Sequence, residues 1–504
     1  MNEQELVLVL DAGTGGGRAL VFNARGELKA RAYRSWKFSP LSGLELLAKE
    51  FNPQEFWQIL CQCTREVLEK VDKKKIKAVS STSMRQGCVF LDKEGNYIYA
   101  GPNRDVRGII FAQEIEESFD NFHSRTGRWP PWIFVPSRLK WFEKQMPQLH
   151  QKIHHILMLN DWILFELCGE FAGEPSSACE SMLFDLSSAS WSQELLDQCQ
   201  LGLENLPKIY PAGTMVGEVS KKAEQESGIP EGIPVVVGGA DSQCALLGAG
   251  IIKPHQAGLI AGTTMPVMMT IDHCFIDPKK ILWTHCYLLK DLWVVESQAG
   301  EAGSSFAWYV EKILSGLLNA SPQEVYPQIL ARAEKIPPGA NGIRAYLGTM
   351  VWNLSRLNPL RPSALLFPYP FESEKFSPEA IARAILEAIA YAGRANLEQI
   401  ESATGISPQE VFICGGLSQS RLFNQIVASV LNCPCKVAGS PESAGLGTAI
   451  CAFVGVGVYP DLKTGAEEMS GSTFLIEPVA QWQEAYQEGY KKWREEYDKF
   501  DQCW

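Results

Sequence analysis

Apolar and polar positions alternate in short blocks from the start of the chain. Leu6 to Leu10 is an unbroken apolar run, followed by Asp11-Ala12-Gly13-Thr14-Gly15-Gly16-Gly17 and a second run, Arg18 to Phe22. Asn23-Ala24-Arg25-Gly26 reads as a turn before a third short strand near Leu28 to Tyr33. Strand-length runs broken by glycine turns predict a β-meander. Pro234 to Val237 predicts a buried strand, Gly238-Gly239 a tight turn, and a helix opens near Asp241. Val411 to Cys414, Gly415-Gly416-Leu417-Ser418 and Ser420 to Leu431 repeat that strand, glycine pair and helix. A long helix is expected from Ser377-Pro378, with Ser as N-cap, Pro at the first position and Gly405 as the stop. Its Ile381, Ile385 and Ile389 share one face. Trp482, Tyr486, Tyr490, Trp493 and Tyr497 fall at helical spacing and predict core or subunit packing.

The first hairpin has an echo. Gly258 to Thr270 again reads strand, Ala261-Gly262-Thr263-Thr264, strand, about half the chain beyond the first Gly-Thr turn. Two related halves would give this pattern, and so would chance recurrence of a short hairpin. Two large domains are expected, residues 1–244 and 245–504, although 504 residues alone would suggest about three.

Composition narrows the classes. An apolar fraction of 46% and a charged fraction of 21% exclude disorder and collagen-like repeats. A net charge of −12 argues against sequence-independent nucleic-acid binding, so an anionic ligand must be held by locally placed N–H groups or cations. The acidic start, Met1-Asn2-Glu3-Gln4-Glu5, is unlike a signal peptide, and no apolar run approaches the ~20 residues of a membrane helix. A cytoplasmic protein with no membrane partner is expected. The 14 cysteines are scattered without a CxxC pair and read as reduced, buried thiols. A homodimer is compatible with all of this.

Several chemistries can be weighed from residue types. Gly13 and Gly15 begin a GxGxxG, but position 18 is Arg and a strand follows where a dinucleotide fold needs a helix. His150 and His154 lack the Glu of HExxH, and His273-Cys274 with His285-Cys286 fits no common zinc spacing, so loop or core packing is expected there. Gly-Thr turns between strands gather N–H groups and hydroxyls into an anion nest suited to phosphate oxygens, while one such turn alone is equally a tight hairpin. Asp11 beside the first turn suits Mg²⁺ held through water. Asp241, after two glycines at a helix start, is either an N-cap or a general base. Its helix N-terminal position is expected to keep its pKa low.

The whole set resembles the FGGY family of carbohydrate kinases along essentially the full chain. The resemblance rests on Leu10-Asp11-Ala12-Gly13-Thr14 with Arg18, Ser83-Met84-Arg85-Gln86-Gly87, Asn103-Arg104-Asp105-Val106-Arg107 and Leu159-Asn160-Asp161-Trp162. It continues through Gly238-Gly239-Ala240-Asp241, Gly262-Thr263-Thr264, Gly415-Gly416-Leu417-Ser418 and Glu442-Ser443-Ala444-Gly445-Leu446-Gly447. It implies a mixed α/β, actin-like ATPase fold of two RNase-H-like domains around a central cleft. It further implies ATP and Mg²⁺ as cofactors and a small sugar or polyol as substrate. Asp241 matches the catalytic base, and Asp11 with Gly13, Thr14, Gly15 and Arg18 the first phosphate loop, Asp11 as the metal residue. Gly262, Thr263 and Thr264 match the second phosphate loop. Gly415, Gly416 and Ser418 match the adenosine motif, with Asn424 and Glu442 near it. Arg85, Gln86, Asp105, Asp241 and Gln243 are the implied substrate contacts.

Departures from the family pattern fall around the substrate. Three glycines follow the first Gly-Thr turn where many members have Ser, Arg361 to Pro368 replaces a Gly-rich stretch, and Arg138 stands where Lys is usual. Xylulokinases carry Met-His at Arg85-Gln86, and glycerol kinases Arg-Glu. Ser83 to Gly87 looks most like the autoinducer-2 kinase branch, which carries Ser-Met-Arg-Glu-Gly, and Val295-Glu296-Ser297 is similar to it too. The implied reaction is ATP-dependent phosphorylation of a sugar or polyol hydroxyl, with a pentulose kinase as the alternative substrate reading. An actin- or Hsp70-like ATPase without a sugar substrate is the alternative of another class. A sugar-sensing regulator without catalysis is disfavoured by the retained Asp11 and Asp241.

Overall fold

The computed structural model describes residues 5–119, 121–353, 362–471 and 473–503; Met1 to Gln4 and Arg361 lie outside them. Two compact units are present. One comprises residues 1–252, 272–294 and 442–471, the other 253–271, 295–441 and 472–504. A single cut at 244/245 therefore does not describe the division, because two later segments return to the first unit.

The first unit is built on the expected meander. β1 (Leu6–Gly13), β2 (Gly16–Asn23) and β3 (Leu28–Ser35) pair antiparallel in sequence. β4 (Ile76–Ser83) lies parallel to β1, β6 (Pro234–Ala240) lies parallel to β4, and β5 (Met215–Glu218) closes the edge. The order is β5-β6-β4-β1-β2-β3.

The run Leu6 to Leu10 is unbroken because β1 is buried on both faces, as central strands of such sheets are. Its pleat sends Leu6, Leu8 and Leu10 into a core with Phe56, Trp57 and Leu60 of the helix Pro53–Leu68. Val7 and Val9 enter a second core with Leu446, Ala449 and Ile450 of the helix Ser443–Gly455. That second core is the physical reason residues 442–471 belong to the first unit: their apolar helix covers the face that Val7, Val9, Leu20 and Phe22 would otherwise expose.

The second unit repeats the arrangement. β7 (Gln256–Ile260) and β8 (Pro266–Ile271) form the echoing hairpin, with β9 (Trp293–Gln298) beyond β8. β10 (Glu410–Cys414) lies parallel to β7 and β11 (Cys435–Val437) parallel to β10, with β12 (Phe474–Ile476) antiparallel at the edge. The order β9-β8-β7-β10-β11 matches β3-β2-β1-β4-β6 strand for strand. The short sequence echo thus marks two units of one topology.

The long helix runs Pro378–Thr404, capped by Ser377 and stopped by Gly405 in the left-handed region. It is buried nearly all round from Ala382 to Leu397 rather than along one isoleucine stripe. The aromatic stripe is core packing. Trp493 stacks on Tyr346, with ring centroids 5.9 Å apart, and Tyr486 meets Tyr391 edge-on.

Candidate active site

Asp11 and Arg18 face one another across β1 and β2, with Arg18 Nε 3.1 Å from Asp11 Oδ2. Arg18 Nη1 donates to Glu442 Oε2 at 2.9 Å, and Glu442 also pairs with Arg31 at 3.0 Å. Burial raises the Asp11 pKa, against the pull of Arg18 and with a push from Glu442. The intervening turn, Thr14-Gly15, is more open, and among the described residues no main-chain acceptor takes either N–H. Thr14 Oγ1 accepts from Asn103 at 3.0 Å, which fixes the turn. The geometry is that of an anion nest beside a carboxylate.

Asp241 opens the helix Asp241–Gly248, but Ala240 is the N-cap and makes no side-chain cap. The N-cap reading of Asp241 is thus replaced by a first-turn position, with Ser242 Oγ donating to Asp241 Oδ1 at 3.2 Å. Its expected low pKa is corrected as well: the value is raised to about 6. Burial is the largest cause, Arg85 pulls the other way, and Asp11 pushes upward again. Desolvation of the half-buried anion outweighs the helix dipole, which acts through one short helix. This helix is clamped to Ser443–Gly455 by close main-chain approach. A Cβ on Gly447 would lie 1.9 Å from the Cys244 carbonyl oxygen, and one on Gly248 would lie 2.0 Å from that of Ser443.

Arg85 and Gln86 follow β4 in a loop where Gln86 adopts φ 59°. Their surroundings revolve around Glu180, a buried carboxylate that the sequence reading missed. Gln86 Nε2 donates to Glu180 Oε2, and Arg85 Nη1 lies 3.8 Å from Oε1. Arg128 Nη2 donates to Oε1 at 3.0 Å, and His285 Nδ1 lies 2.8 Å from the same oxygen. Burial opposes ionisation of Glu180, yet Arg128, His285 and Arg85 hold its pKa down to about 2. Cys179, Glu180 and His285 place three donor atoms within 4.8 Å of one another, a metal-like set. Arg128 Nη2 stands 3.2 Å from Cys179 Sγ and 2.9 Å from His285 Nδ1 as well, so a guanidinium occupies the place of the cation. Arg138, where the family has Lys, is fully buried and donates from Nη1 to the Gln86 main-chain oxygen at 2.7 Å and from Nη2 to that of Pro102 at 2.8 Å.

Two of the expected substrate contacts are enclosed by the protein. Asp105 is fully buried, with both oxygens engaged by Arg107 Nε at 2.8 and 3.1 Å and Oδ2 accepting Tyr99 Oη at 2.6 Å. It anchors its own loop. Gln243 is also fully buried, and among the described residues neither amide atom has a hydrogen-bond partner.

Glu174 is a second residue the sequence reading passed over. It caps Pro175–Ala178, accepting the N–H of Ser176 at 2.7 Å and of Ser177 at 3.1 Å, together with the Ser176 hydroxyl. Glu174-Pro-Ser-Ser, an acid before Pro at a helix start, was the legible signal.

In the second unit the expected nucleotide residues do come together. β7 and β10 lie side by side, so Ala261 donates to the Cys414 carbonyl at 2.7 Å and accepts from Leu417 N–H at 3.0 Å. Gly262-Thr263-Thr264 therefore abuts Gly415-Gly416. Gly415 has φ 89°, and a Cβ there would stand 2.8 Å from the Ala261 carbonyl, so glycine is required. Ser418 Oγ donates to Gly415 O at 2.7 Å and Asn424 Nδ2 to Ser418 O at 2.7 Å; both shape the loop. Thr263 is exposed, and no main-chain acceptor among the described residues takes its N–H or that of Thr264.

Comparison with known proteins agrees with this architecture. Residues 6–248 match the N-terminal domain, and residues 257–456 the C-terminal domain, of the FGGY family of carbohydrate kinases. The autoinducer-2 kinase of Salmonella typhimurium is 29% identical over 97% of this chain and 94% of its own. Xylulose kinase from Rhodospirillum rubrum superimposes with a TM-score of 0.81 at 23% identity, covering 98% of this chain and 99% of the other. Plasmodium falciparum glycerol kinase with ADP gives 0.81 at 19% identity over 98% of each chain. The fold is the mixed α/β, two-domain, actin-like ATPase fold of these sugar kinases.

Proposed function

Since the chain belongs to the FGGY family of carbohydrate kinases and is therefore a sugar phosphotransferase, we propose that it transfers the γ-phosphoryl group of ATP to a hydroxyl of a small polyhydroxy compound of the autoinducer-2 type, with Asp241 as general base. The observation that carries the base assignment is a carboxylate at a helix start, beside Arg85, with its pKa raised to about 6. A base in that range is ionised at neutral pH yet basic enough to accept a hydroxyl proton as the oxygen attacks phosphorus. The substrate class rests on the autoinducer-2 kinases, which match along nearly the full chain.

The Thr14-Gly15 and Gly262-Thr263-Thr264 turns offer N–H groups to phosphate oxygens. The loop Gly415 to Ser418, held by Asn424, takes the adenosine. Mg²⁺ fits the residues present: Asp11 and Asp241 both have raised pKa values, and Asp11 adds to that of Asp241, a charge burden a divalent cation relieves. Asp11 would hold it through water, and when bound the ion supplies charge neutralisation on the phosphates. Arg85 donates to substrate oxygen and keeps Asp241 from rising further.

ADP release across dihydroxypentanedione, ketopentoses, polyols and aldonic acids identifies the acceptor, and turnover of a pentulose above dihydroxypentanedione would replace the autoinducer-2 reading. Asp241→Asn is expected to bind ATP as the wild type does while turnover falls by about 10²–10⁴. Wild-type turnover in that variant would remove Asp241 from the role.

A further inference from the structure

Gln86 is held at two points, its main-chain oxygen by Arg138 and its side-chain amide by Glu180. Glu180, bonded also to Arg128 and His285, is an ionised carboxylate and so accepts hydrogen bonds without donating any. The amide of Gln86 therefore has one orientation: Nε2 faces Glu180 and Oε1 faces away. Among the described residues nothing donates to Oε1, and it is not among the wholly buried atoms.

We propose that Glu180 is a specificity-setting positioning residue: by taking the N–H of Gln86 it leaves Gln86 Oε1 as an acceptor, so that the substrate group at this subsite must be a hydroxyl that donates. This rests on the reading that Arg85 and Gln86 face the sugar. With Nε2 turned to Glu180, the neutral amide presents Oε1 to the ligand, as a carboxylate would present an oxygen. Arg85 supplies the complementary donor. The subsite thus selects a compound with a donating hydroxyl next to an accepting oxygen, a hydroxy-carbonyl or vicinal diol, and disfavours a carboxylate at the Gln86 position.

Exchanging the two groups tests this. Gln86→Glu alone sets two carboxylates face to face, and Glu180→Gln alone leaves the Gln86 amide free to turn. The double variant Gln86→Glu/Glu180→Gln restores one amide and one carboxylate with an acceptor toward the ligand. KM for dihydroxypentanedione and for D-xylulose is expected to rise about tenfold in each single variant and to return within about threefold of wild type in the double, with KM for ATP unchanged throughout. Thermal midpoints should show the same non-additivity, with the double more stable than either single. Additive losses, in KM or in midpoint, would overturn the proposal, as would a double variant that does not fold. Should the wild type turn over neither probe, the substrate reading above fails, and the cycle of midpoints still decides the exchange.

Discussion

Ser176 Oγ accepts the main-chain N–H of Ala240 at 3.0 Å, one residue ahead of Asp241. The same hydroxyl donates to Glu174, whose carboxylate is fixed by two further N–H groups. A chain of hydrogen bonds thus runs from Glu174 through Ser176 to the residue that launches the Asp241 helix. Ser176→Ala strands a buried N–H, which costs about 1–3 kcal/mol. It also frees the peptide that sets the direction of Asp241. The expected outcome is a lower thermal midpoint and a fall of about tenfold in kcat, with KM for ATP unchanged. Unaltered kcat in a destabilised variant would make the chain purely structural.

The Asp241 pKa of about 6 sets a pH dependence. Below that value the carboxylate takes a proton and cannot accept one from the substrate, so kcat/KM should fall on the acid side with an inflection near pH 6. Arg85 lowers the Asp241 pKa. Arg85→Gln therefore moves the inflection to higher pH, in addition to weakening sugar binding. A pH-rate profile of both proteins checks the sign, and a shift to lower pH would contradict the assignment.

How much of this was legible in the sequence depends on whether a residue's partner is local. The β1–β2 hairpin, the caps Ser377 and Gly405 and the Gly415-Gly416 turn are set by neighbours within a few positions and stand as expected, whereas Gly238-Gly239, expected as a tight turn, continues the strand Pro234–Ala240 up to the helix. Asp11, Arg18, Arg85 and Gln86 were named from the family pattern, and the structure groups them with Glu442 and Glu180, partners hundreds or tens of residues away. Glu180 itself sits in Ser176 to Leu186, a stretch of short irregular turns with no period to read. The bond of Asp105 to Arg107 was not legible, because a loop carboxylate looks the same in sequence whatever its oxygens face. The return of residues 442–471 to the first unit was hidden because an apolar helix does not say which sheet it covers.

Gly415→Ala tests the nucleotide loop. The new Cβ would meet the Ala261 carbonyl at 2.8 Å, and φ 89° is strained for any L side chain. Relief requires the loop to move away from Gly262-Thr263-Thr264, the neighbouring turn in the same unit. KM for ATP is expected to rise about tenfold or more while sugar binding, measured by calorimetry without nucleotide, stays as in wild type. A rise in the sugar dissociation constant instead would place this loop's role elsewhere.

Arg128 is the last test, because it is the cation at the centre of the buried cluster. Its Nη2 touches Glu180, His285 and Cys179, and its Nη1 donates to the Thr284 carbonyl at 2.6 Å. Arg128→Gln leaves the Glu180 carboxylate buried with a weaker partner set, and breaking such a pair costs about 3–5 kcal/mol. The loss should depend on pH in a defined direction. Glu180 is held down to about 2 from an ordinary 4.5, so its ion pairs stabilise the fold fully above pH 4.5, and that contribution declines as pH falls toward 2. The variant, with the Glu180 pKa drawn back up, should therefore differ most from wild type near neutral pH and converge on it in acid. Denaturant midpoints measured from pH 7 down to pH 3 read this directly; a gap that widens on acidification would show that Glu180 is not the group Arg128 stabilises.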